Sequence, residues 1–317
     1  MKFIPYHELA GRPNIVVDGE GTDGTMLTLS HWPGSGSPSE LAADLSTQIA
    51  FRYLDTPTAH VAAEAASNNH YDQDGVCGVF AVLEPEQALQ RRDMLIDIAS
   101  AGDFETFRSR DAARISMALA AFGDEERSPI ASALAGRSYP DQVGSAMDHV
   151  LPRLAEMIDN PAPYKALWEE EDARLAADDA AIASGRVTIE EAPDIDLAIL
   201  TAPEGYGPGY HDDQWSGGCH PMAIHNRTQR FRVLVVQGSR FIVRYRYETW
   251  VNFMSRPVLP RVDLKPLAAM LSNEDSVPWK FDGVGHMTPA LHTQGGAESS
   301  LGAARFRELV GTFLRAS

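Results

Sequence analysis

Apolar residues in the first hundred positions form short runs, and each run ends in glycine or polar residues. Residues 14–17 and 25–32 are rich in Val, Ile, Leu and Thr, which predicts two strands. The first strand would end at Asp18-Gly19 and the second at His31-Trp32. Residues 60–66 predict a third strand. The apolar run 76–83 predicts a buried helix directly after it.

A helix start is predicted between the second and third strands. Ser37 would be its N-cap, Pro38 its first residue, and Glu40 would complete a capping box. Apolar residues then recur at helical spacing, and Pro57 ends the pattern. The order strand, strand, helix, strand, helix predicts an α/β layer.

The rest of the chain changes character twice. Residues 85–185 show helical periodicity, and their acidic stretch after Trp168 is interpreted as a solvated face. Residues 230–236 and 240–247, joined by a tight turn, predict a β-hairpin, and a helix follows near the C-terminus. The predicted fold class is α/β: an N-terminal α/β layer (1–105), a helical middle region (106–190) and a C-terminal α+β domain containing the hairpin (191–317).

Composition narrows the classes of partner. The 317 residues carry a net charge of −17, which argues against a large nucleic-acid surface or an anionic membrane as partner. No run is long enough to span a bilayer, and the N-terminus lacks an apolar signal core. Two cysteines, Cys77 and Cys219, indicate a reducing compartment. We therefore expect a cytoplasmic protein, either monomeric or oligomeric.

Metal-ligand residues follow the third predicted strand. His70, Asp72 and Asp74 occupy alternate positions, so their side chains can converge on one cation. Oxygen-rich ligands with one imidazole favour Mn²⁺ or Mg²⁺. Asp18 and His31, which end the first two strands, could complete a site for one or two ions. The alternative is structural: Asp74 caps the next helix, Asp18 forms an Asp-Gly turn, and His31 packs beside Trp32.

The segment His70-x-Asp72-x-Asp74-Gly75 resembles the first metal-binding motif of the DHH phosphoesterase superfamily. Asp18 looks like the single aspartate of that family, and Ser30-His31 stands in the place of its Asp-His-His triplet. Both precede the motif here, whereas the family has them after it. The resemblance implies a phosphoesterase with catalytic residues His70, Asp72 and Asp74, and with Asp18 and His31 as further metal ligands.

A second resemblance lies in the C-terminal domain. Gly217-Gly218-Cys219-His220-Pro221 is similar to the Gly-Gly-Gly-His-Pro segment of the domain that follows the DHH domain. The resemblance implies that Gly217, Gly218 and His220 contact the anionic group of a substrate.

The predicted hairpin adds further candidates for binding an anion. Arginines share one face of each strand, and we expect Arg244 and Arg246 to contact phosphate. His211 and Asp213 are further candidates for the substrate site. The alternative for the arginines is a solvated face, or packing against the acidic helix.

Together these patterns predict a metal-dependent hydrolase in which an activated water attacks a small phosphorylated substrate. A hydrolase acting on another substrate class would share the metal site. The alternative is a non-enzymatic module that binds a small ligand or a protein partner. Tight binding of manganese would distinguish the enzyme from the module.

Overall fold

The computed structural model describes residues 1–209 and 214–317, and the contacts divide the chain into two compact units. The first unit comprises Met1–Ala173 and Val251–Pro257, and the second comprises Arg174–Trp250 and Val258–Ser317. The protein is an α/β protein, and its described residues form two sheets. The predicted boundaries at residues 105 and 190 do not coincide with these limits. The reason is that the helices after residue 106 pack onto helices of the N-terminal layer.

The first unit contains a four-stranded parallel sheet. Its strands are β1 (Lys2–Phe3), β2 (Asn14–Val17), β3 (Thr25–Leu29) and β4 (Ala65–Ser67). Their order is β1-β4-β2-β3, so β2 and β4 are central and every residue of both strands is buried. Burial on both faces is typical of parallel strands and explains why β2 is continuously apolar after Asn14. Its carboxyl end therefore delivers Asp18 into the interior.

Helices cover this sheet in layers. Those that begin in the first unit are α1 (Ser46–Asp55), α2 (Gln73–Leu83), α3 (Pro85–Gln90), α4 (Arg92–Asp103), α5 (Arg110–Gly123), α6 (Ala131–Leu134), α7 (Tyr139–Val150), α8 (Leu154–Asp159) and α9 (Glu169–Ala183). Helix α2 contacts the sheet and α1, α4 packs on α2, and α5 packs on α4. Gly78 permits the close approach of α2 to β2, because a Cβ there would lie 2.6 Å from Cγ1 of Val17.

The predicted start of α1 is wrong. Only Ser39–Leu41 forms a short 3₁₀ turn, and the α-helix begins at Ser46. Ser37 does not cap a helix: its hydroxyl accepts the N–H of Ser30 at 2.7 Å and contacts the carbonyl of Thr28 at 2.9 Å. The start of α1 is set by a long-range contact and not by the local capping pattern: the Asp74 carboxylate accepts the backbone N–H groups of Ser46 and Thr47.

The second unit is built on a six-stranded mixed sheet. Its strands are β5 (Thr188–Ala192), β6 (Leu197–Ala202), β7 (Arg232–Gln237), β8 (Arg240–Tyr245), β9 (Trp279–Phe281) and β10 (Ala290–Thr293). The order is β5-β6-β7-β8-β10-β9, and within the described part of this second sheet the only parallel pair is β6 with β7. Strands β7 and β8 form the predicted hairpin.

Alternate residues of the hairpin face two different cores, as the two-residue period of a strand requires. Leu234 and Val243 pack with α11 (Lys265–Glu274) and α12 (Ala303–Ala316). Val235 and Ile242 pack on the other face with residues of α9 and α10 (Pro221–His225). Among the described residues, none of the helices combines the length and apolar character needed to cross a membrane.

Candidate metal centre

Asp18 lies at the carboxyl end of β2, where side chains of an α/β sheet meet ligands. Its φ of 52° turns the chain sharply after Val17, a left-handed conformation that aspartate tolerates better than most residues. The side chain is 1% exposed. One oxygen, Oδ1, accepts a hydrogen bond from the Ser46 hydroxyl at 2.8 Å. The other, Oδ2, lies 3.2 Å from Nε2 of His70.

His31 follows β3 and is completely buried. Its Nδ1 lies 2.6 Å from the backbone carbonyl of Asp44, and since a carbonyl only accepts, Nδ1 carries the hydrogen. Nε2 then faces Asp18 Oδ1 at 3.5 Å and Asp74 Oδ2 at 3.9 Å. A carbonyl on one ring nitrogen and carboxylates opposite the other is how proteins orient a histidine toward a metal.

His70 and Asp72 lie in the turn between β4 and α2. His70 Nε2 is 2.8 Å from Asp72 Oδ2, while Nδ1 is 2.9 Å from the Asn69 amide oxygen. The ring stacks on Trp32, with centroids 5.2 Å apart. Asp72 is also the N-cap of α2, because its Oδ1 accepts the N–H of Gly75 at 2.8 Å. The structural alternative assigned this cap to Asp74, and that assignment is wrong.

Asp74 instead caps α1. Its Oδ2 and Oδ1 accept the backbone N–H groups of Ser46 and Thr47, each at 2.7 Å. A fully buried carboxylate at the N-terminus of a helix accepts from two otherwise unpaired N–H donors. Its negative charge also interacts favourably with the positive end of the helix dipole. This contact explains why α1 starts at Ser46. It also fixes the position of Asp74 beside Asp18.

The five residues named from the sequence meet in one cluster, which we call the candidate metal centre. It consists of Asp18, His31, His70, Asp72 and Asp74. Two triads are close enough to hold an ion, with ligand atoms within 4.8 Å of one another: Asp18–His70–Asp72 and Asp18–His31–Asp74. Asp18 belongs to both and presents a different oxygen to each histidine. Each triad could therefore hold an ion.

Asp103 is a neighbour that the sequence patterns did not single out. It ends α4, and its 5%-exposed carboxylate lies 3.4 Å from His31 Nε2. Because α4 is positioned by its packing on α2 and α1, local spacing gives no sign of this contact. The one signal in the sequence is an aspartate at the end of an amphipathic helix. Asp103 is therefore a further carboxylate beside the second triad.

Burial and mutual charge shift the titration of this cluster. Burial, followed by the charge of Asp18, raises the pKa of Asp74 to about 7. Burial and the charges of Asp74 and Asp72 raise the pKa of Asp103 well above its usual range. Burial also acts to raise the pKa of Asp18, but the hydrogen bond and charge of His70 lower it to about 2. Crowded carboxylates of this kind favour a bound cation.

The electrostatics of His70 mirror those of its partners. Burial opposes its charged form, but the charge of Asp72 and the hydrogen bond with Asp18 outweigh burial and raise the pKa of His70 to about 12. In the metal-free protein, His70 is therefore an imidazolium that lies between the carboxylates of Asp18 and Asp72. Metal binding would displace that proton, because a ligating imidazole must be neutral.

The glycine segment predicted to bind substrate lies in the second unit and is buried. The backbone N–H of His220 donates to Asp178 Oδ2 at 2.7 Å, and the carbonyl of Gly217 accepts from Gln237 at 2.8 Å. A Cβ on Gly218 would lie 1.9 Å from the carbonyl oxygen of Tyr206. The glycines here permit two backbone segments to pack closely.

The guanidinium groups of the hairpin arginines Arg244 and Arg246 bond to other groups of the protein. Arg246 forms a buried ion pair with Glu248, with Nη2 and Oε1 2.6 Å apart and both side chains at most 3% exposed. Arg244 donates to the carbonyl of Trp215 at 2.8 Å. The candidates His211 and Asp213 lie outside the described residues.

Comparison with known proteins decides the family. The profile of a family of unknown function, DUF6687, matches residues 1–317. The chain belongs to DUF6687. The search of curated proteins finds no match to this member of DUF6687. The case for a function therefore depends on the candidate metal centre.

Proposed function

We propose that this DUF6687 protein is a metal-dependent hydrolase of the phosphoesterase type, distantly related to the DHH phosphoesterases. One observation carries the proposal: Asp18 joins two ligand triads at the carboxyl edge of a parallel sheet. Carboxylates shared between two cations 3.5–4 Å apart are typical of enzymes that hydrolyse phosphoesters.

The donor set fits Mn²⁺ or Mg²⁺, as one ion or two. Carboxylate oxygens dominate and imidazole nitrogens complete the set, which suits manganese in particular. His70, Asp72 and Asp18 would hold one ion; His31, Asp74 and Asp18 would hold the other. A cation held by these residues would activate water and neutralise charge on the phosphate oxygens.

The protein's own residues prepare this site. The Asp44 carbonyl orients His31, and two backbone N–H groups of α1 fix Asp74. Trp32 covers one face of the His70 ring. These contacts hold the ligands in place before a cation or substrate binds, which reduces the cost of organising the site.

The proposed substrate is a small phosphorylated anion. Phosphate can approach the cations, whereas the predicted contacts from Gly217, His220 and Arg246 are engaged inside the second unit. The proposal therefore draws its phosphate contacts from the candidate metal centre. We place the reaction in the cytoplasm, where the buried free thiols of Cys77 and Cys219 would stay reduced.

A second candidate function is a non-enzymatic binding module. The observation in its favour is that protein groups already satisfy much of the cluster: Asp74 caps α1 and Asp72 caps α2. In that case the cluster is a buried ion-pair network with a structural role. It would bind no manganese tightly.

The test is turnover of a generic phosphoester, bis(4-nitrophenyl) phosphate, with and without Mn²⁺. We expect hydrolysis that depends on manganese and falls about 100-fold or more in Asp72→Asn, which removes a ligand. Asp93→Asn, an exposed carboxylate of α4, is the matched control and should keep full activity. Activity that survives in Asp72→Asn, or that ignores manganese, contradicts the proposal.

A further inference from the structure

Among the five residues of the candidate metal centre, two side chains are exposed to solvent in the part of the chain that the structure describes. The side chains of His70 and Asp72 are 21% and 29% exposed, whereas Asp18 is 1% exposed and His31 and Asp74 are fully buried. A ligand from solvent must therefore reach the cluster beside His70 and Asp72. If the cluster holds the phosphate of a substrate, the residues around His70 and Asp72 would contact the rest of that substrate.

A cavity of about 350 Å³ adjoins the candidate metal centre at Asp72, which forms part of its wall. We call it the Tyr71 cavity. Besides Asp72, its wall includes Tyr71, Gln73, Asp124, Tyr139 and Gln142. The volume falls within the range of small-molecule sites. Helices α5 and α7 supply most of the wall away from Asp72, so the cavity is built by the helical region that follows the metal-ligand turn.

The wall is unsuited to a second anionic group. None of the described residues that line the cavity is Lys, Arg or His, and Asp124 adds a carboxylate to that of Asp72. Asp124 Oδ1 accepts the backbone N–H groups of Glu126 and Arg127, at 2.8 and 3.1 Å, which holds it in place. A further phosphate or carboxylate would meet like charge without a cation to balance it.

The wall suits an uncharged planar group. Tyr71 and Tyr139 provide aromatic surface. The side-chain amides of Gln73 and Gln142 add uncharged polar groups to the wall, and they are held in place by donating to the carbonyls of Ser116 and Leu134 at 2.8 and 3.2 Å. The Tyr71 ring is held in advance, because its hydroxyl donates to the Leu119 carbonyl at 3.0 Å. Gly123 packs against that ring: a Cβ there would lie 2.7 Å from it. Rigid aromatic surfaces bind flat ligands through stacking at low cost in entropy.

We propose that the Tyr71 cavity binds an uncharged, planar organic group of the substrate, joined to the phosphate that the candidate metal centre holds. This inference rests on the proposed function for the role of the phosphate. It adds the class of substrate: an organic phosphoester with an aromatic or similarly flat group, as opposed to pyrophosphate or a purely aliphatic ester.

The test compares the binding of two phosphonates that cannot be hydrolysed. Phenylphosphonate and methylphosphonate carry the same anionic group and differ in the ring. Isothermal titration of the manganese-loaded full chain should show at least about tenfold tighter binding of phenylphosphonate. Equal affinities, or no binding of either compound, would overturn the inference.

Two variants connect the ring preference to the cavity. Ala120 is an exposed residue of α5 in the cavity wall, and Ala120→Phe places a ring that should fill part of the cavity. Tyr139→Ala removes an aromatic wall. Both should reduce the preference to about twofold or less, while Ala176→Phe, a control at an exposed position of α9, keeps it. A preference that persists in both cavity variants places the ring elsewhere and contradicts the proposal.

Two further comparisons complete the design. Adenosine 5′-monophosphate against ribose 5-phosphate distinguishes a nucleobase from a simple aryl ring: a gain confined to the nucleotide identifies the base as the planar group, and a gain confined to phenylphosphonate identifies an aryl ring. Turnover of phenyl phosphate separates the two hypotheses. A ring preference without turnover contradicts the proposed function and leaves the cavity assignment supported, whereas turnover without a ring preference does the reverse.

Discussion

Asp74 is both a candidate ligand and the cap of α1, and these roles make different demands on it. Its carboxylate accepts two buried backbone N–H groups at 2.7 Å. Asp72 accepts a single backbone N–H and is 29% exposed. The two ligands therefore contribute unequally to folding, whatever they contribute to metal binding.

In the metal-free protein, we expect Asp74→Ala to lower the free energy of unfolding by about 2–3 kcal/mol, since two buried donors lose their acceptor. Relief of charge repulsion offsets part of the loss. Asp72→Ala should cost about 1 kcal/mol, the usual value of an N-cap. Urea denaturation of both variants measures the difference. Equal losses would show that Asp74 does not hold α1.

Asp103 is a residue of the cluster's surroundings that the sequence did not predict. The strand ends identified Asp18 and His31, and the alternation of His70, Asp72 and Asp74 identified the turn. The structure brings all five together, and their role as metal ligands stays a prediction. Asp103 escaped because its contact with His31 depends on the packing of α4 against α2.

The connection between β2 and β3 positions both Asp18 and the strand that leads to His31. It leads from the end of β2 at Val17 back to the start of the parallel strand β3 at Thr25, and it contains Gly24 at φ 84°. The carbonyl of Gly24 accepts the N–H of Asn14 at 3.1 Å, which ties the end of the connection to the start of β2. The backbone of Gly11 and Arg12 lies close to Gly24.

Gly24→Ala should destabilise the fold by about 3 kcal/mol or more, because strain at positive φ adds to a clash. A Cβ there would lie 2.4 Å from the carbonyl oxygen of Gly11. Gly34→Ala is the control: its φ is 75°, but no atom lies within 4 Å of a Cβ. It should cost only about 1–2 kcal/mol. Thermal melts that rank the two variants equally would contradict this explanation.

Elements with strong local patterns were predictable, and those set by distant contacts were not. The apolar runs placed β2, β3 and the hairpin β7–β8 close to their observed bounds. The start of α1 was misplaced because its cap, Asp74, lies 28 residues away from Ser46 in the sequence. The strands β9 and β10 were not predicted, since runs of three or four residues carry little periodic signal.

The second unit contains a hydrogen-bonded carboxylate of its own, that of Asp275. Asp275 Oδ2 accepts from the Trp279 indole at 2.8 Å and the Ser299 hydroxyl at 2.5 Å. Its Oδ1 accepts the N–H of Ser300 at 2.8 Å. Partial burial acts to raise the pKa of Asp275, but these hydrogen bonds outweigh it and lower the pKa well below its usual range.

A lowered pKa means that the ionised form stabilises the folded unit above the unfolded pKa of about 4, and that this contribution fades as the pH falls through that region. Asp275→Ala should therefore cost about 1–2 kcal/mol at pH 7 and progressively less below pH 4. Glu298→Ala, which removes an exposed pair with Arg240, should cost about 0.5 kcal/mol. A loss for Asp275→Ala that does not change with pH would contradict the assignment.

The central claim for the whole molecule is that Asp18 joins two ligand triads into one metal site. The most direct measurement is the manganese content of the purified chain after dialysis against Mn²⁺, determined by elemental analysis. The wild type and Asp93→Asn should retain one to two ions per chain, and Asp18→Asn should retain none, because it removes a ligand from both triads. Wild-type protein that holds no more manganese than Asp18→Asn would contradict the claim, and the cluster would then be a buried ion-pair network.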